Sequence, residues 1–337
     1  MALRAIAAGG GIVTIGVDVM ANVVRLRVVD VATRRRVEAF AIERGIPPSG
    51  LIIEEVEMAY APDLSGNRAG TLMTGTTNLR AYRSPLSGGW QIAWWDNGSS
   101  GLCTAAATLK QSTSKVFLSA AHCGQRFATT GTRFDQPTLG NRIGAEISDA
   151  AWLPANTGVC QFGTGVDCRY SDGVIGLYDI ATRGALGSVG KPIVRNPAYS
   201  DPTVVTVDDL NSTFSIAGTY PYPHVGETVH HVGRTTGWQS GTVAETCTDM
   251  YRLDAPTNRN FVLLCQSRVT ATSGKGDSGG PAFFFNSEMN SVTLVGMVWS
   301  GGGFEIGNNP EGNTIYSEMW ISPWENISID YPGLSIQ

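Results

Sequence analysis

The sequence predicts a mostly β protein preceded by a small α+β unit. Three observations carry that reading. The 337 residues include 41 Gly and 16 Pro but only 16% charged residues, which suits turn-rich β structure better than helices. Short apolar runs recur between clusters of Gly, Pro, Asn and Asp: GWQIAWW, KVFLSAA, GVIGLY, TVVTV, ETVHHV, NFVLLC and VTLVGMVW. Such spacing points to a sandwich or to barrels. Helical patterning is confined to one stretch near the N-terminus and a short one around Ser322–Ile329.

Taken in order, IVTIGVDV (12–19) and NVVRLRVVD (22–30) read as two strands about a turn at Met20–Ala21. In the second, Val24, Leu26 and Val28 share one face, and Arg25 and Arg27 the other. Residues 32–44 read as a helix with Val37, Phe40 and Ala41 at helical spacing, stopped by Gly45, Pro47 and Pro48. Its Arg34, Arg35 and Arg36 are read as a solvated face. Leu51–Val56 completes a β-β-α-β unit over residues 1–60. Residues 61–79 lack periodicity and have linker composition. Charge shifts at the same place, since residues 1–80 carry +1 and the remainder −6.

Composition also excludes function classes. A net charge of −5 and 42% hydrophobic residues exclude disorder as the main state. Mild acidity argues against a nucleic-acid partner. No stretch of about 20 residues is both apolar and uncharged, so no membrane span is expected. No metal cluster is visible, and no cofactor is expected.

Six cysteines fall as sequence neighbours: Cys103 and Cys123, Cys160 and Cys168, Cys247 and Cys265. No CxxC metal spacing occurs. Fifteen pairings are open to them, as are buried free thiols; neighbour pairing is the expectation. Disulfides imply an oxidising compartment. A secretory signal is not evident, because Gly9, Gly10, Gly11 and Thr14 dilute the early apolar run and Asp18 ends it. The cysteines nevertheless favour a secreted protein.

The chemistry centres on GKGDSGGP, residues 274–281. Glycines let the chain turn sharply around Ser278, and the Gly276 and Ser278 N–H groups can converge as an oxyanion hole. A serine hydroxyl is a poor nucleophile until a base takes its proton. Of four histidines, His122 in LSAAHCG is the strongest base candidate, because a Cys103–Cys123 bridge would fix its segment.

SAAHC (119–123) and GDSGGP (276–281) resemble the chymotrypsin-fold serine peptidases. GRTTGWQSGTV (233–243) and the tail containing YPGLSI resemble the secreted bacterial branch of α-lytic protease and the streptogrisins. The likeness covers roughly residues 80–337. It implies two antiparallel six-stranded barrels, over about 80–200 and 201–337, and a serine endopeptidase acting on polypeptides as a monomer. It also implies a triad in the order His, Asp, Ser. Asp172 in SDGVIGLY matches the orienting aspartate, with Asp167 and Asp179 as rivals. Ser300 matches the serine that hydrogen-bonds it, and Gly301 and Gly302 the edge that pairs with substrate. The pocket walls fall to Thr272, Ser273, Lys275 and Trp299. Thr272 stands where trypsin-like members carry Asp, which argues against a basic P1 side chain, and Trp299 would narrow the pocket unless it is core. Glu305 could reach the pocket from its loop. His231 or Arg234 is expected to support Asp277. In arrangement, residues 1–60 resemble an inhibitory, folding-assisting prosegment, and so a further partner of the enzyme; an unrelated accessory domain is the rival reading. A catalytically silent binding or regulatory protein on the same fold is the alternative function.

Overall fold

The computed structural model describes residues 10–18, 21–56, 78–96, 98–124, 131–201, 203–208, 210–254, 259–287 and 290–336. Most of the predicted linker, 61–77, lies outside the described residues. Asn78 and Leu79, placed in that linker by composition, are buried instead; Leu79 N–H donates to Val205 O at 3.0 Å.

The first unit forms as its pattern implies. β1 (Ile12–Asp18) and β2 (Val23–Val28) pair antiparallel, α1 (Val31–Glu43) follows, and β3 (Leu51–Glu55) returns parallel to β2. Asp30 caps α1 by accepting from the Thr33 N–H at 2.6 Å. Leu26, Val28, Val37 and Ala41 are buried, and Phe40 packs half-buried beside them. On the outer face Arg34 pairs with Glu38 and Glu55. Arg25 and Arg27 do more than face solvent: they bracket Glu54, and Arg27 reaches Glu245 at 2.5 Å.

The next strands are β4 (Leu86–Gly88), β5 (Gln91–Asp96), β6 (Ser99–Thr104), β7 (Ala107–Gln111), β8 (Ser114–Ala120), β9 (Arg133–Asp135), β10 (Arg142–Asp149), β11 (Val166–Arg169), β12 (Gly173–Tyr178) and β13 (Gly184–Gly190). Antiparallel pairing runs β6–β5–β9–β10–β12–β8–β7. Val116, Phe117, Leu118, Phe134, Val174 and Ile175 fill its core, and β8 is buried on both faces from Val116 to Ala120.

The second half holds β14 (Thr213–Thr219), β15 (Thr228–Gly233), β16 (Gly237–Asp254), β17 (Arg259–Val269), β18 (Ser273–Gly274), β19 (Pro281–Asn286), β20 (Ser291–Asn308) and β21 (Thr314–Pro323), then α2 (Trp324–Asp330) and β22 (Leu334–Ser335). Six of these close on themselves in the order β15–β16–β17–β21–β20–β19–β15, every pairing antiparallel. Val229, Val243, Val269, Val298 and Ile321 fill the ring. The protein is thus mostly β, as the composition predicts.

One expected strand is absent. In TVVTV, residues 203–205 form a turn, because Asp201 accepts both the N–H and the O–H of Thr203, at 2.8 and 2.7 Å, and Thr206 and Val207 make only isolated bridges, to Asn78 and Pro192. Its Val204, Val205 and Val207 are still buried in the first core, so the apolar run reports burial and not strand geometry.

The β16–β17 hairpin projects beyond the ring and gathers two more strands. β1 pairs antiparallel with β16 at Thr14–Met250 and Ile15–Asp249, and β11 pairs parallel with β17 through Arg169–Leu263. The N-terminal unit thereby shares one apolar cluster, Ile12, Leu26, Val28 and Val37, with Cys160, Phe162, Val166 and Cys168. The six cysteines form the three neighbour pairs, 103–123, 160–168 and 247–265.

Candidate active site

Three segments far apart in sequence meet between the two halves. His122 sits in the turn after β8, tied to β6 by the Cys103–Cys123 disulfide. Asp172 immediately precedes β12, and the β8–β12 pairing (Ala120 opposite Gly173) sets the two side by side. The Ala121 N–H donates to Asp172 O at 2.7 Å and locks the juxtaposition. Ser278 lies in the turn before β19, its carbonyl accepting from the Thr104 N–H at 2.8 Å.

The side chains then form one chain of hydrogen bonds. His122 Nδ1 lies 2.5 Å from Asp172 Oδ2, and His122 Nε2 lies 2.6 Å from Ser278 Oγ. All three residues are buried. With Nδ1–H donating to the carboxylate, Nε2 is left as an acceptor facing the serine O–H, which is the tautomer a base needs. The rivals lie elsewhere. Asp167 pairs with Arg259 at 2.7 Å, and Asp179 with Arg142 at 3.1 Å.

Gly276 adopts φ +105°, a conformation that side chains rarely take, and a Cβ there would come within 2.7 Å of Arg234 and Thr235 atoms. Its carbonyl accepts from Thr104 Oγ1 at 2.8 Å, which fixes the peptide next to the predicted oxyanion donors.

Asp277 is held otherwise than expected. Its carboxylate accepts from the Thr235 N–H (2.8 Å), Thr236 N–H (3.3 Å), Thr236 O–H (2.7 Å) and Gly274 N–H (2.8 Å). Neither His231 nor Arg234 hydrogen-bonds it. The His231 Nε2–H donates to Thr272 O at 2.8 Å, and burial holds the imidazole below its ordinary pKa. Arg234 is drawn to Glu311 at 3.0 Å and to Gln91. The TTG turn places two amides and a hydroxyl within reach first, so the Arg234 cation acts on Asp277 only through space.

The predicted pocket residues are spread around Ser278. Ser273 Oγ donates to Glu318 O at 2.8 Å, and Lys275 N–H to Thr314 O at 3.0 Å, so both are framework to the β18–β21 pairing. Trp299 is fully buried in a cluster with Met250, Phe261, Leu263 and Trp320, with Arg252 over its ring at 5.4 Å. Its indole is core, and its carbonyl oxygen lies 3.3 Å from Ser278 Oγ. The Ser300 O–H donates to Gly301 O at 3.1 Å. Gly301 and Gly302 pair with Met319 and Glu318 of β21, while the β19 pairing stops at Gly296 and Met297. Among the described residues, strand pairing therefore covers one edge of 300–302 only. Glu305 is exposed on the distal hairpin.

Sequence reasoning missed Arg169. This residue is fully buried, ion-pairs with Asp172 Oδ1, and reaches Asp149 Oδ1 at 2.9 Å. An Arg three residues before the candidate aspartate, next to a cysteine, was the available signal. Around it, burial pushes Asp149 up to about 7 and Asp330 up to about 6. Asp330 also accepts from the Ser171 N–H and O–H at 2.7 and 2.6 Å, so α2 braces the segment carrying Asp172. Among the described residues no three His, Cys, Asp or Glu side chains are grouped to hold a metal ion, and no helix is long and apolar enough to cross a membrane.

No protein-family profile matches the chain. By sequence it is 26% identical over 226 residues to streptogrisin-C of Streptomyces griseus, a match covering 66% of this chain and 36% of that protein. The chain thus spans about a third of the length of that curated relative. Among solved structures it is similar to Thermobifida fusca protease A, at 19% identity and TM-score 0.44, over 74% of this chain and 96% of that one. A glutamic acid-specific serine protease is matched at 19% identity and TM-score 0.47, over 75% of this chain and all of that one.

Proposed function

We propose that this chain, a sequence relative of streptogrisin-C, is a serine endopeptidase that works outside the cell and is made as a proenzyme. The hydrogen-bonded run Asp172–His122–Ser278, at 2.5 and 2.6 Å, carries the reading. Three disulfides suit an oxidising compartment. In this reading Ser278 Oγ attacks a peptide carbonyl while His122 Nε2 takes its proton. Asp172 orients the imidazole and stabilises the imidazolium. The Gly276 and Ser278 N–H groups receive the oxyanion, His122 protonates the leaving amine, and water releases the acyl group. Substrate in extended form adds to the open edge at Ser300–Gly302. Thr272 in place of an acidic residue disfavours Lys or Arg at P1.

Residues 1–60 take the role of prosegment. The β1–β16 pairing and the Arg27–Glu245 ion pair support it, since both tie the unit to the hairpin behind the site. Cleavage between about residue 60 and residue 85 would release the mature enzyme.

A fluorophosphonate probe tests the central step. Ser278 should be labelled, Ser278→Ala should not, and the same substitution should lower peptide hydrolysis by about 10⁶ in kcat. A folded protein that leaves the probe untouched, before and after removal of the N-terminal unit, would instead be a silent binding protein on this scaffold.

A further inference from the structure

We infer that Arg169 is a positioning residue for the proposed triad, clamping the Asp172 carboxylate in the plane that His122 requires. The inference rests on the protease reading and deepens it. The two carboxylate oxygens have separate duties: Oδ2 meets His122 Nδ1 at 2.5 Å, and Oδ1 meets the Arg169 guanidinium. A carboxylate tied at one oxygen can swing about its Cβ–Cγ bond. A planar guanidinium on the second oxygen removes that freedom.

Arg169 is itself held on three sides. A second guanidinium nitrogen reaches Asp149 Oδ1 at 2.9 Å, the Trp152 ring lies 4.5 Å from its central carbon, and the residue is fully buried. Its backbone is the last residue of β11, beside the Cys160–Cys168 disulfide and paired with Leu263. The same disulfide loop packs into the apolar cluster of the N-terminal unit through Phe162 and Val166. Arg169 is therefore the point at which packing of residues 1–60 comes within three residues of Asp172.

The charge matters as much as the geometry. His122, Asp149, Glu146 and Asp330 all lie within electrostatic range of this buried centre. Arg169 is the cation that offsets Asp172 there, so its loss exposes the imidazole to the full carboxylate charge.

The test uses the full chain with Arg169→Met, Arg169→Lys and Ser278→Ala, reading the second-order rate of fluorophosphonate labelling against pH. Arg169→Met should slow labelling roughly 10- to 100-fold and move the acid limb of the profile up by about one pH unit, because the imidazolium is then favoured. Arg169→Lys keeps the charge but loses the planar fork whose two nitrogens reach Asp149 and Asp172 separately, so its limb should stay near the parent's while its rate falls about tenfold. A folded Arg169→Met protein with parental rate and limb overturns the inference. Should that variant not fold, a parental rate in Arg169→Lys overturns it. The low-field proton resonance of the His122 Nδ1–H separates this from failure of the protease reading. If Ser278 is never labelled, titration of that resonance at higher pH in Arg169→Met than in the parent still supports the Arg169 role, and an unchanged titration rejects it.

Discussion

Two buried aspartates flank Ser278, and the protein satisfies them by opposite means. Asp277 is held by neutral donors from neighbouring turns, three amides and one hydroxyl, at 2.7 to 3.3 Å. Asp172 is held by ionisable partners, His122 on one oxygen and Arg169 on the other. Amides cannot titrate and are positioned by the backbone, so the Asp277 side is a fixed frame for the Ser278 turn. An imidazole can exchange a proton and responds to the fixed charge of a neighbouring guanidinium, so the Asp172 side is where protons can be handled. Close approach makes the first arrangement possible: at Gly233 any Cβ would stand 2.1 Å from Asp277 Oδ1.

The comparison can be broken by treating the two aspartates alike. Asp172→Asn should lower kcat by about 10⁴, as expected for a triad left with the wrong imidazole tautomer. Equal activity in steady-state assays would mean that His122 is oriented by something else. Asp277→Asn should act first on stability, because an amide N–H₂ would then face N–H donors in a dry site. A loss of about 1–3 kcal/mol in urea unfolding is expected, and an unchanged midpoint would remove the distinction between frame and proton handling.

Asp149 supplies the smallest and sharpest test. One guanidinium serves two carboxylates, so burial wins at Asp149 and pushes it up to about 7 in the folded protein, against 3.8 in the unfolded chain. The unfolded state then binds fewer protons between those values, so this group's contribution to stability falls as pH rises from about 4 to about 7. Below that window both states are protonated and the penalty vanishes. Asp149→Asn should flatten the slope, read as urea midpoints at pH 4.5 and 7.5. An unaltered slope would show that Asp149 stays ionised beside Arg169.

The reading from sequence succeeded where chemistry is local. The helix at residues 31–43 was legible from three apolar positions and a Gly-Pro stop, and most strands from short runs between turn residues. TVVTV misled because an apolar β-branched run signals burial, whereas the neighbouring Asp201 decided the turn. Trp299 was ambiguous for the same reason: its neighbours in space, Met250, Phe261 and Trp320, lie 21 or more positions away.

By itself the sequence singled out the candidate groups, because SAAHC and GDSGGP supply a histidine and a serine with the glycines that a tight turn demands. It also made neighbour pairing of the cysteines the expectation, which the structure bears out, and outlined the N-terminal unit. Only tertiary structure decided that Asp172 faces a buried Arg169, that turn amides and not His231 or Arg234 hold Asp277, and that β1 joins the β16–β17 hairpin. Each of those depends on which oxygen meets which donor once strands tens of residues apart are brought into register. Spacing along a chain does not encode that distance in space.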